Sequence, residues 1–244
     1  LRLTAGGRYT WHSKPMLRQQ NGATPFATPQ IGDASYSRFT WNRMLGYDIA
    51  DGSTTYARVA TGYRSGGFNA GEANATGKLT SFGAENVTAY EIGRKTELFN
   101  RRVRFNLAGY HNVYKDLAVS IPVPAAAAGS FATIIGNAGK VNYTGFEAEL
   151  QAVLTENFSV DGSIGYVDIK YKEFNSGQAV GTNASVNIAS IVTPGYTSPL
   201  TANIAANARF PLNWGGAELT ARVGYTYEDG KYSFNNNISV PFNE

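Results

Sequence analysis

The chain has 244 residues with no cysteine, 16% charged and 13% aromatic residues, and a formal net charge of +3. So few charges, scattered without basic runs or zinc spacings, exclude a nucleic-acid partner, and no apolar run reaches the roughly twenty residues a membrane helix needs. The absence of cysteine removes disulfides and thiolate metal sites.

Period-two alternation of apolar and polar residues begins at Leu1 and continues through the chain. Leu1, Leu3, Ala5, Gly7, Tyr9 and Trp11 interleave with Arg2, Thr4, Gly6, Arg8, Thr10 and His12. Such alternation predicts strands with one apolar and one polar face. About nine are expected, at 1–12, 37–48, 54–64, 86–99, 102–115, 141–154, 157–171, 199–211 and 216–228. Their length exceeds the usual five or six residues and suits a tilted bilayer crossing.

The connections alternate in length. Ile49–Ser53, Asn100–Arg101, Thr155–Glu156 and Leu212–Gly215 are short, whereas Ser13–Tyr36, Ser65–Glu85, Asp116–Lys140 and Lys172–Ser198 are long. Short periplasmic turns and longer extracellular loops mark outer-membrane barrels, so the first strand is expected to run outward. The fold class expected is all-β, an antiparallel transmembrane β-barrel wall; a tall soluble barrel is the alternative. Because residue 1 already lies in a strand pattern, the chain reads as a piece of a longer protein.

Cross-strand pairing follows from the turns. Leu98 opposite Val103 sets Glu97 against Arg104 and Lys95 against Asn106. Leu154 opposite Phe158 sets Gln151 against Asp161 and Phe146 against Tyr166. Phe210 opposite Ala217 sets Arg209 against Glu218. Aromatic side chains sort by height, as two interfacial girdles require. Trp11, Tyr63, Tyr90, Tyr110, Tyr143, Tyr166 and Tyr225 fall toward the outer ends, and Tyr47, Phe99, Phe158, Phe210 and Trp214 toward the inner ends.

Five colinear segments resemble TonB-dependent outer-membrane receptors: Thr55–Asn69 (TYARVATGYRSGGFN), Ala89–Ser120, Gly136–Leu150 (GNAGKVNYTGFEAEL), Asn157–Phe174 and Thr193–Leu212. The resemblance implies a barrel of about twenty-two strands plugged by an N-terminal domain. These residues would supply roughly the eleventh to nineteenth strands, without the plug and about three final strands. On that template residues 1–244 are one partial barrel domain in the outer membrane of a Gram-negative bacterium. The implied activity is import of a ferric siderophore, haem, vitamin or oligosaccharide, energised by the TonB–ExbB–ExbD complex through the plug. A barrel that binds, anchors or conducts passively is the competing reading.

Candidate lumen-facing residues are Arg58, Arg64, Glu91, Lys95, Glu97, Arg104, Glu147, Glu149, Gln151, Asp161, Asn203, Arg209, Glu218 and Arg222. They would line a hydrated path or form a merely solvated face. Candidate substrate contacts on the extracellular loops are Phe68, Asn69, Phe82, Phe174, Asn175 and Tyr196, since binding residues concentrate on loops held by rigid scaffolds. Arg43 and Arg94 fall on the expected lipid face, where a bulge, a height error, snorkelling, a lipid phosphate or a neighbouring protein would account for them. His12 and His111 lack a nearby nucleophile and orienting acid, no metal-ligand cluster occurs, and neither an enzyme nor a cofactor is expected.

Overall fold

The protein, seen in a computed structural model, is described at residues 1–19, 29–73, 77–124, 131–176, 186–212, 214–232 and 241–242. Its strands are β1 (Arg2–Arg18), β2 (Gln30–Ala50), β3 (Ser53–Arg64), β4 (Gly67–Ala73), β5 (Leu79–Phe82), β6 (Glu85–Leu98) and β7 (Val103–Pro124). They continue with β8 (Phe131–Val153), β9 (Phe158–Ser176), β10 (Val186–Asn187), β11 (Leu200–Pro211), β12 (Glu218–Glu228), β13 (Lys231–Tyr232) and β14 (Pro241–Phe242). Nine of them form one antiparallel path, β1-β2-β3-β6-β7-β8-β9-β11-β12, with β10 added to β9. The expected nine-stranded wall is therefore present in the expected order, and among the described residues it does not close on itself.

Tight reversals hold the short-turn side. Phe99, Asn100 and Arg101 all take left-handed φ values of 54°, 55° and 65° between β6 and β7. Thr155 Oγ1 accepts from the amides of Asn157 and Phe158 at 3.2 and 3.0 Å between β8 and β9. The pairings Leu98 with Val103, Glu97 with Arg104 and Lys95 with Asn106 are those expected. Gln151 with Asp161 and Phe146 with Tyr166 are likewise present.

The last turn differs. Phe210 pairs with Leu219 and Arg209 with Thr220, two residues from the expected register. Gly215 and Gly216 both adopt positive φ, 58° and 73°, and widen the reversal beyond the tight turn expected there. Because the side-chain period is two, a slip of two keeps every face. Arg209 still reaches Glu218 diagonally, at 2.5 Å.

The long-loop side also holds more regular structure than expected. β7 and β8 run 22 and 23 residues, well past any bilayer, with a bulge between Tyr114 and Leu117 where Asp116 takes a φ of 57°. The span 65–85 contains the β4–β5 hairpin. That hairpin is pinned on both flanks: Ile31 N donates to Gly77 O at 2.8 Å, and Asn69 exchanges hydrogen bonds with the Ile135 backbone at 2.9 and 2.7 Å. Asn137 bonds both the Gly83 amide and carbonyl. The one small buried apolar cluster among the described residues, Val119 with Phe174, packs beside Leu117, Ile134, Tyr171 and Ile188 in these extensions.

Among the described residues the wall buries few apolar side chains, so its glycines matter through space. Tyr56 lies across Gly93, where a Cβ would sit 2.6 Å from the ring, and at Gly145 a Cβ would sit 2.1 Å from the Tyr166 carbonyl oxygen and 2.7 Å from the hydroxyl of Tyr110, which lies across it. Each ring is thereby laid flat on the sheet. Gly145→Val in the intact protein should lower the temperature at which the barrel unfolds on a heat-modifiability gel, as overpacking typically costs about 1–3 kcal/mol; an unchanged transition would contradict this packing.

Candidate functional site

The register places the candidate lumen-facing residues on one face. Arg58 lies opposite Glu91, and Asn106 stands between Lys95 and Glu149. Tyr56 Oη donates to Glu91 Oε1 at 2.5 Å, with Arg58 Nη1 3.9 Å from the other carboxylate oxygen. Asn106 donates to Glu149 Oε2 at 3.2 Å. Nearer the turn, Glu97 receives Arg104 at 3.2 Å and Arg101 at 3.4 Å. A hollow of about 540 Å³ opens on this face over Tyr56, Glu91, Tyr110, Glu147 and Glu149.

A second network spans β9, β11 and β12. Asp161 accepts from Arg222 at 2.7 and 2.8 Å and from Asn207 at 2.8 Å, while Arg222 also donates to Asn207 Oδ1 at 2.6 Å. Asn203 donates to Ser163 at 2.6 Å. Gln151 stands across from Asp161 in the ladder, and Arg64 pairs with Glu85 at 2.9 Å near the outer end of β3. Such solvent-facing pairs add little stability; their consequence is a wall lined by fixed, mostly compensated charge.

Tyr110 and Tyr143 were expected in the outer aromatic girdle. Both line the polar hollow instead, and Tyr143 packs 5.1 Å from Tyr114. The girdle keeps Trp11, Tyr90, Tyr166 and Tyr225, all exposed on the apolar face. Tyr63 turns toward the gap that opens where the β2–β3 ladder ends at Asn42 and Ala60, and its hydroxyl lies 3.4 Å from His12 Nδ1. Tyr56 was missed as a polar-face residue; its even position on β3, shared with Arg58, was the available signal.

The loop candidates divide. Asn69, 8% exposed, spends its amide on Ile135, and Phe174, 6% exposed, is in the apolar cluster. Phe68 and Phe82 lie against Gly32 and Gly67. These four build the vestibule wall. Asn175 lies in the β9–β10 ladder, exposed, and Tyr196 is 75% exposed with a φ of 59°. Asn183, in the same loop, is outside the described residues.

The two awkward arginines resolve in opposite directions. Arg94 bends toward the short turns, where its guanidinium donates to Ser53 Oγ at 3.1 Å and Thr96 Oγ1 at 3.0 Å. Arg43 lies 5.5 Å from the ring of Trp41, two residues farther out. Arg94 therefore snorkels, as long cationic side chains do beside an apolar layer, while Arg43 rests against Trp41 on the apolar face.

These residues include no cysteine, so introduced ones are the only thiols of this part of the wall. In the intact protein in detergent, Glu149→Cys should react with a charged maleimide at least about tenfold faster than Val223→Cys, which detergent covers; equal rates would contradict the assignment of faces.

The sequence matches the family model described as TonB dependent receptor-like, beta-barrel, over residues 1–242. Among solved structures, the ferric yersiniabactin uptake receptor FyuA from Yersinia pestis superposes with a TM-score of 0.71 at 20% identity, over 94% of this chain and 32% of that one. The siderophore receptor PiuA from Acinetobacter baumannii gives 0.68 at 18% identity, over 94% and 31%. The copper transporter OprC gives 0.67 at 18% identity, over 96% and 33%. The chain spans about a third of the length of these structures, and at such identities they speak for the fold. The match along nearly its whole length shows that the chain belongs to the TonB-dependent receptor family, as part of its β-barrel.

Proposed function

We propose that this chain is a wall segment of an outer-membrane receptor that imports a bulky, scarce nutrient by TonB-coupled active transport, with a ferric siderophore as cargo. The observation that carries the reading is the division of one sheet into an exposed apolar face and a charge-lined face, which we take as the lipid side and the lumen side. A barrel of this family's kind holds a plugged lumen wide enough for such a cargo. The similar structures support the cargo class, because FyuA and PiuA are described as siderophore receptors. Haem, a vitamin, an oligosaccharide or a metal ion are the other cargoes, the last because OprC is described as a copper transporter.

In this reading the inner face does two things. Its paired charges keep the wall wetted without presenting a strong field of one sign, so that a hydrated chelate passes without being trapped. Its remaining carboxylates, Glu147 among them, face the plug domain that the family architecture places inside the barrel, and through which TonB, ExbB and ExbD would act. The vestibule above, braced by the β4–β5 hairpin, would receive the cargo, with Asn175 and Tyr196 as its exposed contacts. The surrounding lipid is that of a Gram-negative outer membrane.

The test is uptake of iron-55 carried by a siderophore into cells whose only route for it is the intact receptor. A protonophore should abolish uptake while surface binding persists. Uptake that continues unchanged would mean a passive porin, and binding with no energised uptake would mean an anchoring protein.

A further inference from the structure

The long connection after β3 turns inward at once, and a glycine permits the bend. A Cβ at Gly66 would lie 2.0 Å from the Phe82 carbonyl oxygen and 2.7 Å from the Tyr36 hydroxyl, so no side chain fits there. Beyond the bend, the β4–β5 hairpin meets the outer ends of β1 and β2 through three residues. Lys14 Nζ donates to Gly66 O at 2.9 Å, and Tyr36 Oη donates to Phe82 O at 3.2 Å. The Phe68 ring fills the space a Cβ would take on Gly32. Lys14, Gly32 and Tyr36 are all even-numbered, and the β1–β2 ladder runs without a shift from Arg2 with Gly46 to Arg18 with Gln30. Met44 stands opposite Arg58 on the same parity, so all three share the face of Arg58 and Glu91. The hairpin lies against the charge-lined side of β2.

Its other flank is held by two reciprocal clasps. Asn69 pairs its side-chain amide with both backbone groups of Ile135. Asn137 does the same with Gly83 and also donates to Asp116 O at 2.7 Å. Each asparagine stands in for a strand edge to the opposite segment. Between β2 and β8 lie β3, β6 and β7, an arc of roughly 19 Å at the usual strand spacing. A barrel wall is concave toward its lumen, so a link fastened at both ends of that arc crosses as a chord on the inner side. Asn175 and Tyr196 stand farther round, on the β9–β11 side of the mouth. Releasing the hairpin would strand several partly buried amides and carbonyls together, which opposes opening.

We propose that the β4–β5 hairpin is a standing strap across this arc of the mouth, which stays clasped while cargo enters beside it. The proposal rests on the transport reading above. A Cβ at Gly83 lies 3.8 Å from Asn137 Cγ, so Gly83→Cys with Asn137→Cys is within reach of a disulfide. In the intact receptor with no other cysteine, the pair should close under mild oxidation. Iron-55 ferric-siderophore uptake by the oxidised protein should stay within about twofold of the reduced protein. A larger fall that dithiothreitol restores would make the hairpin a lid that must open, and a pair that does not close would deny the clasp; either overturns the proposal. A second measurement needs no cargo. Nitroxides at the exposed positions 81 and 144 should give one narrow distance distribution by double electron–electron resonance. Gly66→Val, or Asn69→Ala with Asn137→Ala, should broaden it, with heat modifiability reporting that each barrel is still folded. A broad or two-peaked distribution in the wild type, or an unchanged one in both variants, would also overturn the strap. If uptake is absent from oxidised and reduced receptor alike while the distance stays narrow, the transport reading fails and the clasped strap stands.

Discussion

A chain that crosses lipid as strands must pair every backbone N–H and C=O with a neighbouring strand, because hydrocarbon offers no substitute partner. The inner strands of the nine-strand path meet this requirement over most of their length, the β2–β3 ladder stopping at Asn42 and Ala60, and the rest of the structure follows from it. Once the ladder is in place, side chains can point only to one face or the other. Changes of register are tolerated in steps of two, as the β11–β12 turn demonstrates: a two-residue displacement leaves Arg209 and Glu218 on the same side and still in contact. Where the β2–β3 ladder ends, Thr61 Oγ1 takes over by accepting from the Trp41 amide at 2.9 Å.

With the faces fixed, the two sides solve different problems. The inner side must carry charge without burying it, and does so with linked pairs such as Asp161 with Arg222 and Asn207. It must also keep bulk out of the lumen, and lays Tyr56 and Tyr110 over glycines. The outer side must present apolar surface to lipid, so a cation there has to find a partner. Arg94 reaches inward to Ser53 and Thr96, and Arg43 outward to Trp41.

Much of this was legible in the sequence because period two is a local signal. Strand order, the length asymmetry of connections and two of the three tested turn registers, those at Leu98–Val103 and Leu154–Phe158, follow from neighbours a few residues apart. The third failed because two successive left-handed glycines permit more than one loop length. Aromatic residues misled at Tyr110 and Tyr143, since height was read from the sequence while face depends on position parity. The vestibule was least legible: Asn69 and Phe174 look like exposed loop residues until the β4–β5 hairpin and the β7–β8 extension close around them. Those contacts join positions such as Asn69 and Ile135, 66 residues apart, which no local pattern encodes.

The central claim is that one continuous sheet separates lipid from a water-filled interior, residue by residue. The most direct measurement is a nitroxide scan along positions 103–113 of β7 in the intact receptor reconstituted in bilayers. Accessibility to oxygen should peak at odd positions and accessibility to a water-soluble nickel chelate at even ones, with position 110 on the chelate side. A scan in which the two profiles rise and fall together, or in which 110 follows oxygen, would contradict the account.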